Sequence, residues 1–287
     1  MKAALRILFA AAAYVVGVIL TGLLVPVLRL PAFTEPPGAD PAKQFLWLCA
    51  AAPLFALALR PLADGLRGSW SQRWLALASL LYVTIGLNTM LELKVFSTLL
   101  NGSAWAASLY SLLPSMLAAA VLTKTLRPQD PSPPLRAVSS GALAGLIGRL
   151  LLAWLAFPLG YWIFGMLVAP IVVPIYEASK LGIFVPPPSL VLRTQLLRGA
   201  LLLAATLPSV LLWDRSRARF VVAMGLAQTF AIGIFPLLQA TFMPATLRVF
   251  HSLEIAANAF LFASVVGALF IRPQPSADRP MELRQSA

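Results

Sequence analysis

In the stretch RVFHSLEIAANAF, Arg248, His251, Glu254 and Asn258 recur every three or four residues, so a helix lines all four up on one stripe. His251 is the only histidine of the chain. Histidine titrates near neutral pH, so His251 with Glu254 has the makings of a general base and its orienting carboxylate, or of a proton relay. As a metal site the pair is weak: the HExxH spacing is absent, and catalytic zinc takes three protein ligands.

Other polar residues fall in apolar surroundings: Asn88 and Glu92, Arg149, Glu177, and Arg198. Charges in hydrocarbon are paired or line a wet cavity. Arg149, Arg198 and Arg248 balance Glu92, Glu177 and Glu254 in sign, and arginine grips carboxylate or phosphate with a two-pronged geometry. The expected ligand-binding set is therefore Arg149, Arg198, Arg248, Glu92, Asn88, Glu177 and Asn258, around an anionic small molecule or a lipid head group. The expected catalytic set, if the protein is instead an enzyme acting on a lipid or membrane peptide, is His251 with Glu254. A balanced Arg/Glu set can also clamp helices without binding anything, as in a membrane scaffold, and Lys94, Arg193 and Arg198 near helix ends can snorkel to the interface. There is no Gly-rich phosphate loop, acidic metal-diphosphate cluster or G-x-S-x-G elbow, so neither a cofactor nor a metal is expected.

The elements that must position these residues follow from composition. Of 287 residues 60% are apolar and 11% charged, with a mean hydropathy of +0.85. Soluble domains carry roughly a quarter charged residues, so the surrounding solvent is lipid. A span needs roughly 20 apolar residues. Eight candidates meet that need: Ile7 to Leu28, Phe45 to Leu59, Trp74 to Phe96, Ala104 to Leu122, Val138 to about Val168, Thr194 to Trp213, Phe220 to Phe242 and Val249 to Ile271. The second is short and contains Pro53; Pro114, Pro208 and Pro236 bend three others.

With eight crossings both termini share a side with Lys2, Arg6, Arg60, Arg67, Arg73, Lys124, Arg127, Arg136, Arg215, Arg217, Arg219, Arg272, Arg279 and Arg284, which is 14 of the 22 basic residues. The positive-inside rule makes that side cytoplasmic in a bacterial-type inner membrane. The net charge of +12 then serves topology and anionic lipid, not nucleic acid. Asn88, Glu92, Arg198 and Glu254 all fall in the outer half, and Arg149 about 11 residues into the fifth span.

Between the fifth and sixth spans, Ala169 to Leu192 holds Pro170, Pro174 and a PPP run, and is expected to lie at the interface or re-enter the protein. Gly141, Gly145 and Gly148 suit close packing of the fifth helix against a neighbour. The first span follows Met1-Lys2 but is long for a signal peptide, and is expected to be retained. Cys49, the only cysteine, allows no disulfide framework. NTMLE in the third span and EIAAN in the eighth pair Glu with Asn in opposite senses, a faint mark of an inverted repeat. The expected fold is all-α: one polytopic transmembrane bundle over 1–271 with a polar, disordered tail over 272–287.

Overall fold

A computed structural model describes residues 2–126, 143–178 and 181–271. Among these are eight helices long and apolar enough to cross a membrane: α1 Ala4–Leu28, α2 Pro41–Gly65, α3 Trp70–Phe96, α4 Ala104–Thr125, α5 Leu143–Ala178, α6 Pro188–Leu212, α7 Arg217–Gln239 and α8 Ala245–Phe270. The second span is full length despite Pro53, because Asp40 caps its start, accepting from Lys43 N, and Pro41 fits the first turn. Ser69 opens α3 in a capping box with Gln72, and Ser216 caps α7.

The helices alternate in direction between two ends. At the terminal end the Arg73 guanidinium donates to Leu126 O and Arg217 to Ile271 O, so an arginine satisfies a C-terminal carbonyl of a neighbouring helix. At the far end, loop residue Phe33 pairs with Leu100 and Ser97 with Ile183.

Ala169–Ala178, expected to lie at the interface or re-enter, continues α5 as helix despite Pro170 and Pro174. At 1.5 Å per residue the 36 residues of α5 reach about 54 Å, well beyond a hydrocarbon core about 30 Å thick. Among the described residues nothing lies within 4 Å of a Cβ added at Gly145 or Gly148, so they pack α5 against no described neighbour, contrary to expectation. Gly141 and the 272–287 tail lie outside the described residues.

The chain does contain a repeat, and it is a parallel one. A shift of 147 residues carries Pro41, which opens α2, onto Pro188, which opens α6; it also carries the cap Ser69 onto Ser216. The same shift carries Ile85-Gly86 onto Ile232-Gly233, inside π-helical turns that widen α3 over Tyr82–Asn88 and α7 over Thr229–Ile234. Packing repeats too: α1 lies on α4 as α5 lies on α8, and α2 on α7 as α3 on α6. Leu66 pairs with its own counterpart Trp213, through reciprocal bonds from Arg67 N to Leu212 O, 2.8 Å, and from Asp214 N to Gly65 O, 3.2 Å. The two π turns also touch. These features define a pseudo-two-fold axis along the bundle, as for repeats of equal topology. The inverted echo between NTMLE and EIAAN is thus a coincidence of residue types.

Candidate functional site

Two polar clusters lie toward the far end, both within electrostatic reach of Tyr161. The first is built by α3 and α6. The π turn ends at Asn88, and one ordinary turn later comes Glu92, so both reach α6. π turns of this kind frequently sit at functional positions. Arg198 is 2% exposed. Its Nε donates to Asn88 Oδ1 at 2.7 Å, Nη1 to Gln195 Oε1 at 3.1 Å and Glu92 Oε1 at 3.4 Å, and Nη2 to Glu92 Oε2 at 3.3 Å. The guanidinium also lies over two rings of α5, Phe157 at 5.4 Å and Tyr161 at 5.9 Å. Those faces favour the cation, so the charge is held from three helices.

Donors exceed acceptors in this cluster. The amide nitrogens Asn88 Nδ2 and Gln195 Nε2 are buried with no hydrogen-bond partner among the described residues. Glu92 supplies the single countercharge shown, and its side chain is 37% exposed, so it borders an accessible space.

The second cluster is built by α5 and α8. Glu254 Oε2 pairs with His251 Nδ1 at 3.1 Å, and the Tyr176 hydroxyl meets His251 Nε2. The Tyr176 ring stacks on the imidazole with centroids 5.9 Å apart. Carboxylate, imidazole and phenol thus form one hydrogen-bonded chain, in which the carboxylate fixes which ring nitrogen carries the proton. Small residues of α5 make room for it. A Cβ on Gly160 would fall 2.1 Å from Asn258 Oδ1, and one on Gly165 3.4 Å from Glu254 Oε1. Among the described residues no group of three or more His, Cys, Asp or Glu is placed to hold a metal ion.

The expected set is partly assembled. Asn88, Glu92 and Arg198 come together, and so do His251 and Glu254, with Asn258 a turn further along α8. The α8 stripe lies against α5 and not α3: α8 packs chiefly on α5 and α7. Tyr161 lies in electrostatic reach of Glu92, Arg198 and Glu254. Arg149 is not part of the site. It donates to Gly145 O at 3.2 Å and lies over Phe270, at the terminal end of α8. Gly165, opposite Glu254, is 16 residues further along α5, about 24 Å of helix. Glu177 is exposed at the end of α5. Arg248 makes no ion pair among the described residues, and its Nε is buried without a partner. Gln195, Phe157, Tyr161 and Tyr176 were missed as site residues. The signal for Gln195 was its place one turn before Arg198.

Compared with models of protein families, with curated proteins and with solved structures, the chain matches none.

Proposed function

We propose that the α3–α6 cluster binds an anionic group, a carboxylate or phosphate of a small molecule or lipid head group, in a membrane protein that binds or transports it. The observation that carries this reading is the surplus of donors: a buried guanidinium with two buried amide nitrogens left unpaired beside it. An anion reaching Arg198 competes with Glu92, the exposed partner. The Tyr176–His251–Glu254 chain is the candidate proton carrier of such a protein. The excess of basic residues at the terminal end favours that end as cytoplasmic, which makes the site open outward in a bacterial-type plasma membrane. Lipids are its standing partners.

The test is stabilisation of the purified protein by acetate, by inorganic phosphate, and by phosphatidylglycerol added to neutral-lipid nanodiscs. At least one should raise the unfolding temperature of the wild type and leave Arg198→Gln unmoved. Equal shifts in both proteins, or none in either, would end this reading.

A second reading rests on the ordered chain in the other cluster. A carboxylate that orients an imidazole toward a hydroxyl is the arrangement that activates nucleophiles, here the Tyr176 oxygen. The corresponding activity would be cleavage of a lipid or membrane peptide. Conversion of a phospholipid mixture by the wild type, lost in both Tyr176→Phe and His251→Gln, is its expected mark; no conversion by the wild type removes it.

A further inference from the structure

Toward the terminal end from Arg198, α6 carries a second run of buried polar groups that the anion site does not use. Gln195, Arg198, Thr206 and Ser209 share one helical stripe, ending a turn before Trp213. Thr206 and Ser209 are wholly buried. Facing them, Gln228 of α7 donates to Thr206 Oγ1 at 3.2 Å, while its own Oε1 has no partner among the described residues. Ser209 Oγ and Thr229 Oγ1 are likewise buried and unpaired among the described residues.

An unpaired polar group in a bundle costs several kcal/mol unless water satisfies it. The fold does not require these groups. By the 147-residue shift, Thr206, Ser209 and Gln228 correspond to Leu59, Leu62 and Leu81, each wholly buried in the equivalent contact. The same backbone therefore packs as well with three leucines. Thr84, also wholly buried, continues the polar run on α3 toward Asn88, its hydroxyl bonding to Leu80 O at 2.7 Å.

We propose that this stripe walls a water-filled passage, leading from the Arg198 cluster along α6 toward the terminal end and closing at Trp213. Trp213 is 2% exposed and seats its indole against Gly65, so closely that a Cβ there would lie 2.0 Å from the ring. Trp213 also borders a cavity of about 460 Å³, together with Asp64, Arg215 and Arg219. Water on the stripe satisfies Ser209, Gln228 and Thr229 and lets protons move toward Glu92 by hydrogen-bonded hops. The passage stands whether or not Arg198 binds an anion.

The experiment compares the two halves in the full-length chain, with Cys49→Ala as background. Single cysteines at Thr206 and Ser209, and at their counterparts Leu59 and Leu62, are exposed in proteoliposomes to silver ions, small enough to follow water to a thiol. Protection is read by mass after denaturation and alkylation, and native assembly is checked by size-exclusion profile. The passage predicts that Thr206→Cys and Ser209→Cys react about tenfold faster or more than Leu59→Cys and Leu62→Cys, because thiolate chemistry needs solvent. Rates equal across the halves overturn it. A second measurement covers variants that fail to assemble: Thr206→Leu with Ser209→Leu, which copies the leucine half, should fold and slow proton entry into liposomes carrying a pH dye. Unchanged proton entry also overturns the passage.

Discussion

The contact of α2 with α7 and the contact of α6 with α3 are one arrangement used twice, and they are filled by opposite means. In the first, Tyr14 meets Phe55 and Phe235 edge-on, centroids 5.5 and 5.2 Å apart, and the two phenylalanines stack at 4.5 Å. Shifted by 147 residues, these three become Tyr161, Leu202 and Asn88. One turn toward the far end, Ala51 becomes Arg198. The first half thus places bulk at Phe55 and a methyl at residue 51, whereas the second places less bulk at Leu202 and a charge at 198. Tyrosine is kept in both, but Tyr14 packs on rings, while Tyr161 lies beside a guanidinium. Burying Arg198 needs Glu92, Asn88, Gln195 and two rings, none of which the aromatic half needs. A network that costs desolvation and adds no packing that the apolar version lacks points to use other than holding helices together.

The largest effect should come from copying the charge into the wrong half. Ala51 is 2% exposed, and the residue corresponding to Glu92 is Gln239, which carries no charge. Ala51→Arg therefore buries a cation with no countercharge among rings, and the expected outcome is loss of the monodisperse peak in size-exclusion chromatography. A folded Ala51→Arg protein would mean that the two contacts differ less than argued above.

Removing the charge from the right half is milder. Arg198→Met leaves Glu92 unbalanced and frees the oxygens of Asn88 and Gln195, for a loss of about 3 kcal/mol, the low end for a broken buried pair because Glu92 is partly exposed. Adding Glu92→Gln should recover about 1 kcal/mol of it. Reversible unfolding by steric trapping in bicelles measures both. Glu254→Gln should cost about 1–2 kcal/mol through its hydrogen bond to His251. Combined with Arg198→Met its cost should add within about 0.5 kcal/mol where the clusters, which share no hydrogen bond among the described residues, act independently. A coupling well above that would merge them into one network.

The sequence carries some of this plainly and hides the rest. Eight spans are legible because apolar runs near 20 residues have no other use, and Asn88, Glu92, Arg198, His251 and Glu254 are legible because charge in such runs must be paired. The length of α5 is hidden, since Pro170 and Pro174 signal a break in water, whereas in a bundle neighbouring helices compensate for the lost hydrogen bonds. The repeat is hidden by the very divergence that gives it meaning: Leu to Thr, Leu to Ser, Leu to Gln and Ala to Arg leave few identical anchors, among them Ser69 with Ser216 and Ile85-Gly86 with Ile232-Gly233. Tyr161 and Tyr176 were passed over because a tyrosine in an apolar run usually reads as an interfacial ring, and only packing shows what its hydroxyl meets. Arg149 was misplaced because a residue inside a span can belong to either end of the bundle. Antiparallel packing of α5 on α8 sets Gly165 against Glu254, Gly160 against Asn258 and Arg149 over Phe270.

That register supplies the most local test, carried out with one chemical change at three places on α5. Gly160→Ala drives a methyl into the Asn258 amide, and α8 must move or Asn258 must turn; the expected loss is about 1–3 kcal/mol by overpacking. At Gly145 and Gly148 the same methyl meets nothing within 4 Å among the described residues, so backbone entropy dominates, and Ala should be neutral or stabilising by up to about 1 kcal/mol. Unfolding temperatures of the three single variants in one detergent decide it. Ordered as argued, Gly160→Ala lies lowest and the other two lie at or above the parent. If Gly145→Ala or Gly148→Ala is the damaging one, a second helix covers the terminal part of α5, and the placement of Arg149 away from the site must be revised with it.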